Sequence, residues 1–220
     1  ADNFAREHLP PPDQWPEFLF DLPALRYPER LNCVAELLDA AVARGDGERT
    51  AVIGEHETLS YRELQARVDR MAHVLAEDMG LVTGNRVLLR GANNPAMAAA
   101  VLAVLKAGCI AVPTMPLLRA RELCTIIDKA KVDAVLCAAS LRAELDGALQ
   151  MAQGGQHHAP RKTVYFNDAG SDTSLEALMA RHAAPFAAVD SSADDVCLIS
   201  FTSGTTGIPK GTMHFHRDVL

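Results

Sequence analysis

From Leu31 to Phe201 the chain alternates short apolar runs with helix-patterned stretches of ten or more residues. Arg86-Val87-Leu88-Leu89, Cys109 to Val112, Asp133 to Cys137, Lys162 to Phe166 and Val196 to Phe201 read as strands. Between them, Asn94-Pro95 opens an Ala-rich helix to about Lys106, followed by Gly108. Ala120 to Ala130, Leu141 to Met151 and Ser174 to His182 are helical by pattern. A strand followed by a helix and another strand makes a crossover, and crossovers produce parallel pairing. Strands apolar on both faces are those covered by helices on both sides. The expected fold is α/β, a mostly parallel sheet flanked by helices.

Before the first crossover, Asn32 can cap a helix whose apolar residues are Val34, Leu37, Leu38, Ala41 and Val42, one buried stripe at helical spacing. Thr50 to Ile53 reads as a strand with a turn at Gly54-Glu55. Ser60 and Glu63 have capping-box spacing and open a helix with Leu64, Val68, Met71 and Leu75, closed by Gly80. The first 30 residues differ. Six of the 12 prolines fall within the first 28 positions, interleaved with Trp15, Phe18 and Phe20. Proline excludes a regular helix or a central strand there. We expect an extended arm over residues 1–30 that lies on the body through its rings; a peptide-ligand role for Pro10-Pro11-Pro12 stays open. Residues 31–220 form the α/β body.

Composition excludes several classes. No run of about 18 uncharged apolar residues is present, as a spanning helix requires. A net charge of −7 argues against a nucleic-acid partner, which needs a basic face. Cysteines 33, 109, 124, 137 and 197 are odd in number and lack CxxC spacing, so they read as reduced core thiols of a cytoplasmic protein.

The segment that carries chemistry is Thr202-Ser203-Gly204-Thr205-Thr206-Gly207-Ile208-Pro209-Lys210-Gly211, directly after an apolar strand. Nine residues from Ser203 hold three hydroxyls, three glycines and a lysine, with no carboxylate between Phe201 and His216. Glycines let backbone N–H groups turn inward around an anion, hydroxyls add donors, and lysine adds a mobile charge. Proline at 209 excludes the Walker pattern, and no GxGxxG occurs. Composition alone leaves an ordinary polar loop as the alternative. His214 and His216 stand beside the segment and face either phosphate or the local packing. His157-His158 sits in a polar loop and is not assigned as a metal pair; no metal ligand is named. Asp194-Asp195 reads as a solvated turn and Tyr61 as packing.

Ser-Gly-Thr-Thr-Gly-x-Pro-Lys-Gly, followed by His216 and Leu220, resembles the signature of the adenylate-forming enzymes, complete over 203–211. Leu59 to Leu64 is similar to the family's "LTYxEL", Gly84-Asn85-Arg86-Val87 to its "GDRV" with Asn for Asp, and Leu105 to Pro113 to its "LKAGxxxVP". The resemblance covers about Leu31 to Leu220. Met115 to Leu123 and Asn32 to Asp39 look like the benzoate- and 2-aminobenzoate-CoA ligase branch. The resemblance implies an ATP-dependent carboxylate–CoA ligase working through an acyl-adenylate, with ATP, Mg2+ and CoA and a small carboxylic acid as partners; a homodimer is left open. It implies that Thr202, Ser203, Thr205 and Thr206 supply hydroxyls to the β- and γ-phosphates, Gly204 and Gly207 supply N–H groups, and Lys210 offsets the charge of the leaving pyrophosphate. The acyl pocket, the Mg2+ and ribose residues and the lid lysine would lie beyond Leu220. The expectation is therefore an N-terminal fragment that is inactive by itself. Two other readings stay open: a non-catalytic nucleotide-binding protein, and an adenylation domain that loads a carrier protein.

Overall fold

The computed structural model describes residues 1–154, 157–202 and 209–220. In chain order its helices are α1 (Phe4–Glu7), α2 (Ala40–Ala43), α3 (Tyr61–His73), α4 (Pro95–Lys106), α5 (Ala120–Ala130), α6 (Arg142–Gln153) and α7 (Leu175–Met179). Its strands are β1 (Thr50–Ile53), β2 (Thr58–Ser60), β3 (Arg86–Arg90), β4 (Ile110–Thr114), β5 (Ala134–Ala138), β6 (Lys162–Phe166), β7 (Val196–Thr202) and β8 (Lys210–Phe215). β1 and β2 form an antiparallel pair; the main sheet has the order β6-β5-β3-β4-β7-β8. All of its neighbours are parallel except β7 and β8, which pair antiparallel.

Side chains alternate between the two faces of a strand, so each apolar strand feeds two cores. Val87 and Leu89 join one core with Val68, Leu75, Ala100 and Val104 from the α3 and α4 side. Leu88 joins the other, with Leu123, Ile127, Leu145 and Ala148 from α5 and α6. Both faces are covered, which accounts for the uninterrupted apolar strands.

Local chemistry starts and stops these elements. Ser60 Oγ accepts from Glu63 N–H at 3.2 Å, and the Glu63 carboxylate accepts from Ser60 N–H at 2.8 Å, closing the capping box on α3. Asn94 Oδ1 accepts from Met97 N–H at 2.9 Å, and Pro95 occupies the first turn of α4, where its missing N–H costs nothing. Gly84 has φ +89° and touches the N-terminal segment so closely that a Cβ there would lie 2.0 Å from the Asp2 carbonyl oxygen. Asn85 answers the departure from "GDRV". Its Nδ2 donates to Asp2 Oδ2 at 3.1 Å, a bond that an aspartate would replace with like-charge repulsion. Arg86, 3% exposed, pairs with Asp2 at 2.7 Å and Asp133 at 3.0 Å.

The structure differs from the sequence pattern in several places: a helical turn, α1, opens the segment expected to be extended, because the prolines begin only at Pro10, and β2 is a strand where none is expected. Leu37 is 42% exposed while Val34 and Leu38 are buried, because Ala35–Asp39 winds as a π-helix and rotates Leu37 off the stripe. Pro113 lies inside β4 opposite Leu89; the β4–β7 ladder is registered at Ala111 alone, so its missing N–H breaks no pairing on that side. Lys210 to Phe215 is a strand where none is expected, and His216–Val219 is a 3-10 turn in place of a helix start. All five cysteines are buried and unbonded.

Asp2 is held at the start of β3, and the segment from Trp15 to Phe20 lies against β8 and the turn after it. Trp15 packs on Phe215 at 6.1 Å between centroids, and the Arg217 guanidinium sits over Phe18 and Phe20 at 4.7 and 5.1 Å. Arg6 pairs with Asp195 at 2.5 Å, and Arg217 pairs with Asp194, so both members of the acidic pair are engaged.

Candidate nucleotide-binding hairpin

β7 runs parallel to β4, so its end at Thr202 leaves the sheet at the carboxyl edge, the side on which open α/β sheets bind ligands. The chain returns as β8. Thr202 pairs directly with Lys210, Phe201 with Gly211 and Ser200 with Thr212. Thr202 and Lys210 are both exposed at the mouth of this hairpin. Ser203, Gly204, Thr205, Thr206 and Gly207 lie outside the described residues. The structure thus brings the first and last of the candidate phosphate ligands side by side.

The hairpin stem is held by specific contacts. Thr212 Oγ1 donates to the Ser200 carbonyl at 2.9 Å. Lys129 Nζ, from the last turn of α5, donates to the Pro209 carbonyl at 2.8 Å and anchors the returning end of the loop. Gly211 has a packing reason to be glycine. A Cβ there would lie 3.0 Å from Ile199 Cγ2 and 3.3 Å from the Phe201 ring. The carboxyl edge beside the hairpin is set by Arg90. Its buried guanidinium donates to the carbonyls of Met115, Pro116 and Leu118 at 3.1, 3.0 and 3.0 Å, fixing the segment that follows β4. Burial lowers the Arg90 pKa, more than the nearby Cys137 and Glu144 raise it. The sequence pattern gives no sign of this clamp, because an arginine closing an apolar strand reads as a surface residue.

The two histidines near the hairpin separate. His214 is half-buried with Nε2 3.4 Å from Thr212 Oγ1. His216 is 2% exposed, and its Nδ1 accepts from Cys33 N–H at 3.2 Å, so local packing is its role. The Cys33 thiol is lowered to about 6 by its hydrogen bond with Cys197 and then by His216, against the opposing effect of burial. His157 and His158 both bind Asp128: His157 Nδ1 lies 3.2 Å from Oδ2, and His158 N–H donates to Oδ1 at 2.9 Å. No helix among the described residues is long and apolar enough to cross a membrane.

Residues 38–220 match the family model of the AMP-binding enzymes. The chain is 30% identical over 194 residues to a 3-hydroxybenzoate–CoA/4-hydroxybenzoate–CoA ligase of Thauera aromatica, covering 87% of this chain and 36% of that protein. It is 28% identical over 198 residues to a benzoate–CoA ligase of the same organism, covering 90% and 36%. ATP-bound MatB of Rhodopseudomonas palustris superposes with a TM-score of 0.70 at 30% identity, over 84% of this chain and 35% of that one. The anthranilate CoA ligase AuaEII, in complex with anthranoyl-AMP, superposes at 0.78 with 20% identity over 87% and 36%, a likeness of fold. The chain spans about 36% of the length of the curated relatives it matches. A family match over most of the chain, on a mostly parallel sheet with Thr202 and Lys210, the flanks of the glycine- and hydroxyl-rich segment, at its carboxyl edge, places this protein in the AMP-binding enzyme family.

Proposed function

We propose that this chain is the N-terminal part of an AMP-forming carboxylate–CoA ligase whose acid is aromatic, of the benzoate or 2-aminobenzoate class. The observation that carries the reading is the unbroken 203–211 signature, hung between two strands that set Thr202 beside Lys210. The hydroxybenzoate– and benzoate–CoA ligases among its relatives support the acid class.

The donor set fits a polyphosphate. The Thr202 hydroxyl and the Lys210 ammonium sit at one exposed mouth, without a carboxylate in the loop between them. In the reaction, a carboxylate attacks the α-phosphate of ATP and pyrophosphate leaves; positioning and charge stabilisation supply most of the rate in such transfers. Thr202, Ser203, Thr205 and Thr206 donate to the β- and γ-phosphates, Gly204 and Gly207 offer backbone N–H groups, and Lys210 offsets the charge that develops on the leaving group. Mg2+, when bound with ATP, would supply further neutralisation of phosphate charge, and CoA would accept the acyl group; no residue of this chain is assigned to either. The five unbonded cysteines support a cytoplasmic location. A homodimer belongs to the same reading as a property to be measured.

The test has two parts. The 220-residue chain binds a fluorescent ATP analogue and releases no pyrophosphate. The protein extended beyond Leu220 releases pyrophosphate with benzoate, 3-hydroxybenzoate or 2-aminobenzoate and forms the thioester with CoA. Pyrophosphate release by the extended protein that is indifferent to added acid refutes the ligase reading. Transfer to a carrier protein in place of CoA replaces it with the adenylation-domain reading.

A further inference from the structure

A second group of reactive side chains sits at the end of α3, and the proposed ligase chemistry does not use it. His73 is the last residue of α3, and Glu77 lies four residues on, within the π-helical turn Val74–Asp78. That spacing sets both on one face. His182 arrives from the turn after α7, and its ring stacks on His73 with centroids 5.2 Å apart and planes within 7°. His73 Nδ1 lies 2.6 Å from Glu77 Oε1, and His182 Nδ1 lies 3.7 Å from Glu77 Oε2. The ligand atoms that the three residues offer all lie within 4.8 Å of one another.

The outer nitrogens decide what the inner ones can do. His182 Nε2 is 2.7 Å from Asp78 Oδ2, and His73 Nε2 is 3.4 Å from the Pro185 carbonyl oxygen. The Asp78 carboxylate only accepts, so His182 donates to it from Nε2; the Glu77 carboxylate likewise only accepts, so in the metal-free site His73 donates to it from Nδ1. The second Glu77 oxygen faces His182 Nδ1, so one carboxylate lies between the inner nitrogens of both rings. A divalent cation would take the place of the His73 Nδ1 proton and bind all three groups at once, since their ligand atoms lie within 4.8 Å of one another. An imidazole whose far nitrogen is held by a carboxylate or a carbonyl is also the arrangement that orients metal-binding histidines. Phe186 packs edge-on against His73 at 5.0 Å and fixes that ring. Glu77 is 58% exposed on its side chain, which leaves an entry route and room for water as a further ligand.

We propose that His73, Glu77 and His182 form a binding site for a divalent transition-metal ion, with Zn2+ as the occupant that two imidazoles and a carboxylate suit. Asp78 is a positioning residue that orients His182 from behind. The other set of metal-type side chains among the described residues, Cys33, Cys197 and His216, is sealed from solvent, and its imidazole Nδ1 already accepts from Cys33 N–H. The site is independent of the ligase reading.

The metal-free 220-residue chain, titrated with Zn2+ by calorimetry and with Co2+ by visible absorption, tests the proposal. The expected result is saturable binding of one ion per chain, with cobalt d–d bands and no intense sulfur-to-metal charge transfer. Glu77→Gln and His182→Gln each weaken binding at least about tenfold, and Asp78→Asn weakens it by about 10- to 100-fold, with unchanged far-ultraviolet circular dichroism. No saturable binding by the unmodified chain overturns the proposal. So does affinity that survives both His182→Gln and Glu77→Gln, or a thiolate charge-transfer band, which would move the ion to Cys33 and Cys197.

Discussion

Replacing Lys106 with methionine should cost this protein about 3–5 kcal/mol, the range for breaking a buried ion pair from one side. Lys106 ends an Ala-rich helix, yet its side chain is 2% exposed. Its Nζ lies 2.7 Å from Asp39 Oδ1 and 2.5 Å from Asp69 Oδ1. One ammonium therefore ties α4 to α3 and to the π-helical turn before α2. Methionine keeps the apolar stem and removes only the charge. Two carboxylates whose oxygens lie at most about 5 Å apart then face each other, a repulsion of roughly 3 kcal/mol or more at an effective dielectric constant near 20. Asp69 also loses the partner that offset its desolvation. For a chain of this size the melting temperature should fall by roughly 6–20 °C. Urea denaturation followed by circular dichroism gives the free-energy change directly. The double variant sharpens the test. Asp69→Asn should destabilise the unmodified protein, but should restore part of the stability in the Lys106→Met background. A loss below about 1 kcal/mol, or Asp69→Asn effects of the same sign in both backgrounds, would show that the group behaves as a screened surface pair and refute the reasoning.

Three further outcomes are expected. Gly84→Ala forces a side chain into φ +89° and against the Asp2 carbonyl, so it should cost about 1–2 kcal/mol for the backbone alone and release the N-terminal residues; faster proteolytic clipping before Thr83 would report it. The Asp128 carboxyl is held well below the usual carboxylate range by the Lys131 ammonium, then by His158 N–H and His157. Its folded pKa is depressed, so its stabilisation is present above about pH 4 and is lost as pH falls further. Asp128→Asn should lower the urea midpoint at pH 7 and flatten its decline in acid. Lys210→Ala should reduce acid-dependent pyrophosphate release by the extended protein about 10²-fold or more, without lowering the melting temperature, because Lys210 is exposed at the hairpin mouth.

Much of the architecture is legible in the residues themselves. α5 and β6 run over the residues the pattern names, Ala120–Ala130 and Lys162–Phe166, because an amphipathic stripe and an apolar run each encode their own period. Ser60 and Glu63 announce the start of α3 because capping is a contact between near neighbours. The order and spacing of glycine, hydroxyl and lysine residues in 202–211 single this segment out as the candidate phosphate-binding segment before any fold is known. β8 is different. Lys-Gly-Thr-Met-His-Phe carries no clean alternation and becomes a strand only because β7 offers it an edge to pair with.

The side-chain meetings that matter were decided by the tertiary structure. Asp39 and Lys106, Cys33 and His216, and His73 and His182 are each far apart in the chain and share no local pattern. His73 and Glu77 have readable helical spacing, but His182 joins them only because α7 packs against the end of α3. The sheet order is itself a long-range outcome, since the connection from β4 must pass β3 to reach β5. Periodicity reports which face of an element is buried. Which elements share a core, and so which charged and ligating groups meet, follows from how both faces of one sheet are covered at the same time.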